Sequence, residues 1–131
     1  MVLNIMVGNV DDHLRNHAVL MLEPGRFCLS PAFDICPHVE APMRGQQLGV
    51  GPYGTASTIE NALSQCDRFL LTRNEALRIV GEVKSVAPTW REVFADAGVS
   101  QTDRYRLAAC FAAADAADFV QVNLGGFTQP I

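Results

Sequence analysis

The run Gly8-Asn9-Val10-Asp11-Asp12-His13-Leu14-Arg15-Asn16, followed by Ala18-Val19-Leu20-Met21-Leu22, Glu23-Pro24-Gly25-Arg26, Phe27-Cys28-Leu29 and Ser30-Pro31-Ala32-Phe33-Asp34, decides the fold. Two apolar runs flank a short turn. Pro at the second turn position presets φ and Gly at the third tolerates a positive φ, which fits a type II turn. Residues 17–35 therefore read as an antiparallel β-hairpin. With Glu23 and Arg26 as the ends of the turn, Leu22 opposes Phe27, Ala18 opposes Pro31 and Asn16 opposes Phe33. Pro31 has no N–H to give to a ladder, so it belongs at a strand end or on an edge. This register leaves Asn16 and Asp34 one step from directly opposite, about 5–6 Å apart between backbones, at the open end of the hairpin.

Working outward, residues 1–7 read as the end of an apolar helix, stopped by Gly8-Asn9, and residues 9–16 as a polar loop. Residues 36–56 are rich in Pro and Gly without periodicity and read as a long surface loop. Within it, Gly49-Val50-Gly51-Pro52-Tyr53-Gly54 is a poor phosphate loop, because it follows no strand and opens no immediate helix. Its place after Asp34 suits an activation or substrate loop better.

Residues 57–120 read as about four helices. Ser57-x-x-Glu60 and Thr72-x-x-Glu75 have capping-box spacing, ahead of the stripes Ile59, Ala62, Leu63, Cys66 and Ala76, Leu77, Val80, Val83. Ala87-Pro88 interrupts the second of these helices, since Pro lacks a donor and disfavours α geometry just before it. Trp90, Val93, Phe94 and Ala97 continue an apolar face that Gly98 closes. A further start at Ser100 or Thr102 leads an Ala-rich helix to Ala117. Trp90, Phe94, Tyr105 and Phe111 are expected in the core, and the tail from Gly125 to Ile131 is expected to fray. The fold class is mainly α with one β-hairpin, in a single domain over residues 1–131.

Composition bounds the function. At 131 residues the chain can bury roughly two-thirds of its unfolded surface as one domain. Hydrophobic residues at 49% and charged residues at 18% describe a globular protein rather than a disordered one. The net charge of −4 argues against direct nucleic-acid binding, which needs a basic face. No apolar run reaches the roughly 20 residues of a membrane span. Cys28, Cys36, Cys66 and Cys110 show no Cys-x-x-Cys spacing and read as reduced core residues of a cytoplasmic protein. Met1 to Val7 has no basic leader or cleavage site and resembles a helix whose beginning lies upstream, so the chain is expected to be a fragment.

The chemistry lies in three side chains. An Asp followed five positions later by an Asn, as in Asp11 and Asn16, is the spacing that serves base and metal together in phosphoryl-transfer loops. Asp34, at the far end of the hairpin, adds a second oxygen donor beside Asn16. A hard cation such as Mg²⁺ suits two such donors completed by phosphate oxygens and water. His13 and His17, four apart, could suggest a metal pair on a helix, but residue 17 opens a strand and the rings are expected to diverge. His38, in Cys36-Pro37-His38, reads as a loop histidine.

Asn9-Val10-Asp11-Asp12-His13-Leu14-Arg15-Asn16-His17 and Leu29-Ser30-Pro31-Ala32-Phe33-Asp34 together closely resemble the C-terminal kinase core of HipA-type serine/threonine kinases, the toxins of type II toxin–antitoxin modules. That family pairs an Asp-(Asp or Gly)-His-x-(Lys or Arg)-Asn loop with a Leu-(Ser or Thr)-Pro-x-(Tyr or Phe)-Asp segment across a hairpin. The resemblance implies a partial protein-kinase-like C-lobe: catalytic loop and hairpin over residues 8–35, a loop over 36–56, then helices. It implies Asp11 as catalytic base, His13 near the transferred phosphate, and Asn16 and Asp34 as metal ligands. It implies ATP and Mg²⁺, a protein Ser or Thr substrate, and a helix-turn-helix antitoxin as partner. The family's glycine-rich loop, strand lysine and adenine hinge have no counterpart before residue 8, and the only lysine is Lys84. The expected activity is therefore transfer of the ATP γ-phosphate to a protein hydroxyl, inactive in this chain until an N-terminal lobe is supplied. The alternative is a non-catalytic remnant retained as a helical protein-binding module.

Overall fold

A computed structural model of the chain describes residues 1–39 and 45–116. Helix α1 (Val2–Met6) buries Asn4, Ile5 and Met6 and ends where Gly8 turns to φ +65°. A β-carbon at Gly8 would lie 2.6 Å from the Cys110 carbonyl oxygen, so this stop signal is also a point of close backbone contact. After the loop and a single 3₁₀ turn at Leu14–Asn16, strands β1 (Val19–Glu23) and β2 (Arg26–Leu29) form the hairpin. Gly25, at φ +80°, takes the left-handed position of the expected turn.

The register differs from the expected one. Glu23 opposes Arg26, but a bulge between Met21 and Glu23 then shifts the ladder, so Phe27 faces Met21 rather than Leu22. Leu20 faces Cys28, Val19 faces Leu29, and Ala18 accepts from the Ser30 N–H at 2.8 Å rather than facing Pro31. A type II turn splays its strands relative to their right-handed twist, and a bulge beside the turn restores that twist by adding one residue to one strand. Every residue of both strands is exposed.

The helices follow the punctuation with one change of cap. Helix α2 (Ile59–Leu63) is capped by Thr58, whose hydroxyl accepts from the Asn61 N–H, and not by Ser57. Ser57 instead accepts from the Gln46 side chain at 2.8 Å. Helix α3 (Arg73–Val86) opens on the complete Thr72–Glu75 capping box. The backbone and hydroxyl bonds from Thr72 hold the Glu75 carboxyl below its ordinary pKa. Pro88 breaks the line through a 3₁₀ turn into α4 (Trp90–Asp96), and Gly98, at φ +79°, ends it. The Ala-rich segment is not one helix: α5 (Gln101–Leu107) gives way to a 3₁₀ turn at Ala108–Phe111 before α6 (Ala112–Asp115). Residues 40–44 of the loop, 117–120 of the helical region and the tail to Ile131 lie outside the described residues.

Helix α1 packs against α2, α3 and α6, and one apolar cluster joins Ile5, Met6, Ile59, Leu63, Val80, Trp90 and Phe111. Trp90 stacks on Phe111 at 4.2 Å between ring centroids, and Phe94 meets both edge-on. Tyr105 departs from expectation. It is 84% exposed, whereas Leu107 of the same helix packs against the cluster. Cys110 is buried as expected, which pushes its thiol pKa up, whereas Cys28 and Cys36 are exposed. Among the described residues no helix is long and apolar enough to cross a membrane.

Candidate functional site

The loop that follows α1 is wound on its own backbone. His13 N–H donates to the Asp11 carbonyl and Asn16 N–H to the His13 carbonyl, both at 2.9 Å. The Asn16 side-chain amide donates to the Asp11 carbonyl at 3.1 Å. Committing that nitrogen leaves the Asn16 Oδ1 as the atom of this side chain suited to a hard cation.

The segment after β2 returns to this loop. The Asn9 side chain donates to the Asp34 carbonyl at 3.3 Å, and His38 N–H donates to the Gly8 carbonyl at 3.1 Å. Asp34 sits at φ +57°, one of two non-glycine residues with positive φ among those described. Such a conformation costs about 1–3 kcal/mol and persists only where surrounding bonds over-determine it. Asp is among the residues that tolerate it best. The Cys36 thiol lies 3.9 Å from the Asp34 Oδ1.

Asn16 and Asp34 line one cavity of about 200 Å³ at the mouth of the hairpin, together with Asp12, Asn9 and His17. The predicted strand ladder does not bring them there. Ladder pairing ends at Val19 and Leu29, and the two residues reach one cavity from loops that Asn9 and Asn16 tie down. Asp11 and His13 do not line that cavity. Asp11 is half-buried beside it, held through its backbone by Asn9 and Asn16. His13 is half-buried as well, and its Nδ1 is enclosed without a hydrogen-bond partner.

Three residues that line the cavity have no role in the sequence reading, which weighs His17 only as a metal partner of His13 and sets it aside. Asp12 is 6% exposed, lines the cavity, and lies 3.4 Å from the His17 Nε2. The His17 Nδ1 meets the His13 carbonyl at 3.2 Å, so both of its ring nitrogens have partners within the loop. Asn9 is 2% exposed. Their signal in the sequence was their place in the quoted run from Asn9 to His17.

The donor set fits Mg²⁺. Asn16, Asp34 and Asp12 carry side-chain oxygens and line one cavity, and magnesium commonly takes one or two carboxylates and keeps waters or phosphates elsewhere. Among the described residues no group of three His, Cys, Asp or Glu gathers as a metal cluster. The cavity does not fit a nucleotide. It is smaller than the roughly 300 Å³ at which small-molecule pockets begin, and neither Lys nor Arg lines it. The Gly49–Gly54 turn offers no phosphate cradle either. Asn61, fully buried, accepts from the Tyr53 N–H and donates to the Gly54 and Ala56 carbonyls, tying that turn to α2.

Comparison with known families matches residues 1–90 to the HipA-like C-terminal domain. No curated protein and no solved structure matches the chain.

Proposed function

The chain belongs to the HipA-like C-terminal domain family, and from that premise we propose that it carries the base-and-metal half of a protein Ser/Thr kinase site. The observation that carries the proposal is the convergence of Asn16 and Asp34 on one cavity, with Asp34 held in a left-handed conformation. Function-bearing residues are where such strain concentrates.

On this reading the Asp11 carboxylate takes the proton of an acceptor Ser or Thr hydroxyl as its oxygen bonds the γ-phosphorus. The bond from that phosphorus to the bridging oxygen breaks, and ADP leaves with the electron pair. Asn16, Asp34 and the buried Asp12 would hold Mg²⁺, which when bound supplies charge neutralisation to the phosphates. His13 stands two residues from Asp11 and on this reading stabilises charge near the transferred phosphate. On this reading the nucleotide cradle is supplied by polypeptide outside the described residues, and activity depends on it. Cytoplasmic location and a helix-turn-helix antitoxin partner belong to the same proposal.

A second reading, a helical protein-binding module without catalysis, is favoured by a mostly apolar groove of about 350 Å³. Its walls are Val2 and Leu3 of α1, Leu63 of α2, and Ile79, Val80 and Val83 of α3.

The test is a phosphotransfer assay of the chain joined to its upstream coding segment. Asp11→Asn is expected to lower the rate by about 10²–10⁴ with the fold intact. Equal activity in the variant sinks the kinase assignment. Tight Mg²⁺-ATP binding by the isolated chain, followed by calorimetry, would remove the module reading.

A further inference from the structure

We propose that Asn9 is a positioning residue whose single buried carboxamide holds the Asp11 loop and the Asp34 turn in fixed relation. The inference rests on the phosphotransfer reading of Asp11 and Asp34, and adds to it a residue that touches neither metal nor substrate.

Asn9 is among the most deeply buried side chains described, at 2% exposure. Its Oδ1 accepts from the Asp11 N–H at 3.2 Å. Its Nδ2 donates to the Asp34 carbonyl at 3.3 Å and to the Asn4 Oδ1 at 3.3 Å. A carboxamide has two N–H donors and one carbonyl acceptor, so each kind of atom in this group is used. A buried amide holds its place only with such partners, since losing one leaves an unsatisfied polar atom away from water.

Its three partners come from different parts of the chain. Asn4 belongs to α1, Asp11 to the loop, and Asp34 to the segment beyond the hairpin. The Asn9 N–H also donates to the Asn4 carbonyl at 2.9 Å, which anchors the group to the helix end and to the core beneath it. A rigid point is thereby coupled to both candidate chemical residues.

Asp34 is where that coupling matters most. Its positive φ is sparsely populated for a residue with a side chain, and anchoring its carbonyl fixes the peptide plane from which the carboxylate is presented to the cavity. Without the Asn9 donor, Asp34 is free to relax to negative φ and swing its carboxylate relative to Asn16. Groups that orient metal ligands in this way typically tune metal affinity by 10–100-fold.

The test is Mn²⁺ binding to the purified chain, followed by calorimetry, with Mn²⁺ standing in for Mg²⁺. Asn9→Ala is expected to weaken binding by about 10–100-fold and to speed hydrogen exchange at the Asp11 amide. Thr72→Ala, which removes the remote α3 cap, controls for lost stability and is expected to bind Mn²⁺ as the wild type does. If Asn9→Ala does not fold, Asn9→Ser, whose shorter side chain stops short of Asp34, is measured in its place. An Asn9 variant that folds and binds Mn²⁺ like the wild type overturns the positioning role while leaving the kinase reading standing. A wild-type chain that binds no Mn²⁺, and is indistinguishable from Asp34→Asn, overturns that reading and the inference with it.

Discussion

Gly8 shows how much one residue can decide. It ends α1 at a φ of +65° and lets the backbone pass within van der Waals reach of the Cys110 carbonyl. Gly8→Ala meets both obstacles at once: a strained φ, and a β-carbon 2.6 Å from a backbone oxygen that cannot move as a side-chain tip could. Chemical denaturation is expected to register a loss of about 1–3 kcal/mol. A variant as stable as the wild type would mean that the helix end re-forms around the alanine. The sequence marked Gly8 as a stop signal, which is a local matter. It carried no sign of Cys110, about a hundred residues away, because close approach is a property of packed backbones.

At the scale of elements, the helix starts and stops were legible where the signal was local. The Thr72–Glu75 capping box, the Pro88 break and the Ser100 cap all formed, since each needs atoms only a few residues apart. Ser57 lost its expected role to Thr58 because Gln46, from the preceding loop, engages its hydroxyl. The hairpin turn was legible too, while its register was not, because a bulge is a compromise between turn twist and strand twist.

One contact joins α4 to α6. Arg91 grips Asp115 with both guanidinium nitrogens at 3.0 and 2.7 Å, lies 4.4 Å over the Trp90 ring, and leaves the Trp90 indole N–H to reach the same carboxylate at 3.4 Å. The Arg91 hydrogen bonds hold the Asp115 carboxyl below its ordinary range. The folded form is then the more acidic one. Its contribution is fully present above the ordinary carboxylate pKa of about 4 and disappears as pH falls through the lowered value. Asp115→Asn is accordingly expected to melt a few degrees lower at neutral pH. Thermal scans from pH 7 down to pH 2 are expected to show the gap to wild type closing at the acid end. A gap that stays constant would assign the stabilisation to shape rather than charge.

Over the whole molecule, the hairpin stands apart from the core. Val19, Met21, Leu22, Phe27 and Leu29 are each about 60% exposed or more, and Leu20 is 47% exposed. A two-stranded hairpin is marginal by itself, and exposed apolar side chains on both of its faces suit a covering partner. The native chain is expected to bind the dye ANS, and Leu20→Ser with Phe27→Ser to lower that fluorescence without lowering Tm. Unchanged fluorescence would move the dye site to the groove between α1 and α3. By itself the sequence determined the hairpin turn, the cap at Thr72 and the break at Pro88, because these depend on neighbours along the chain. Only the tertiary structure decided the bulged register, the exposure of Tyr105, the burial of Asp12 and the Asn9 bridge. Each of those follows from which distant atoms compete for the same hydrogen bond or the same space, and a linear pattern does not encode that competition.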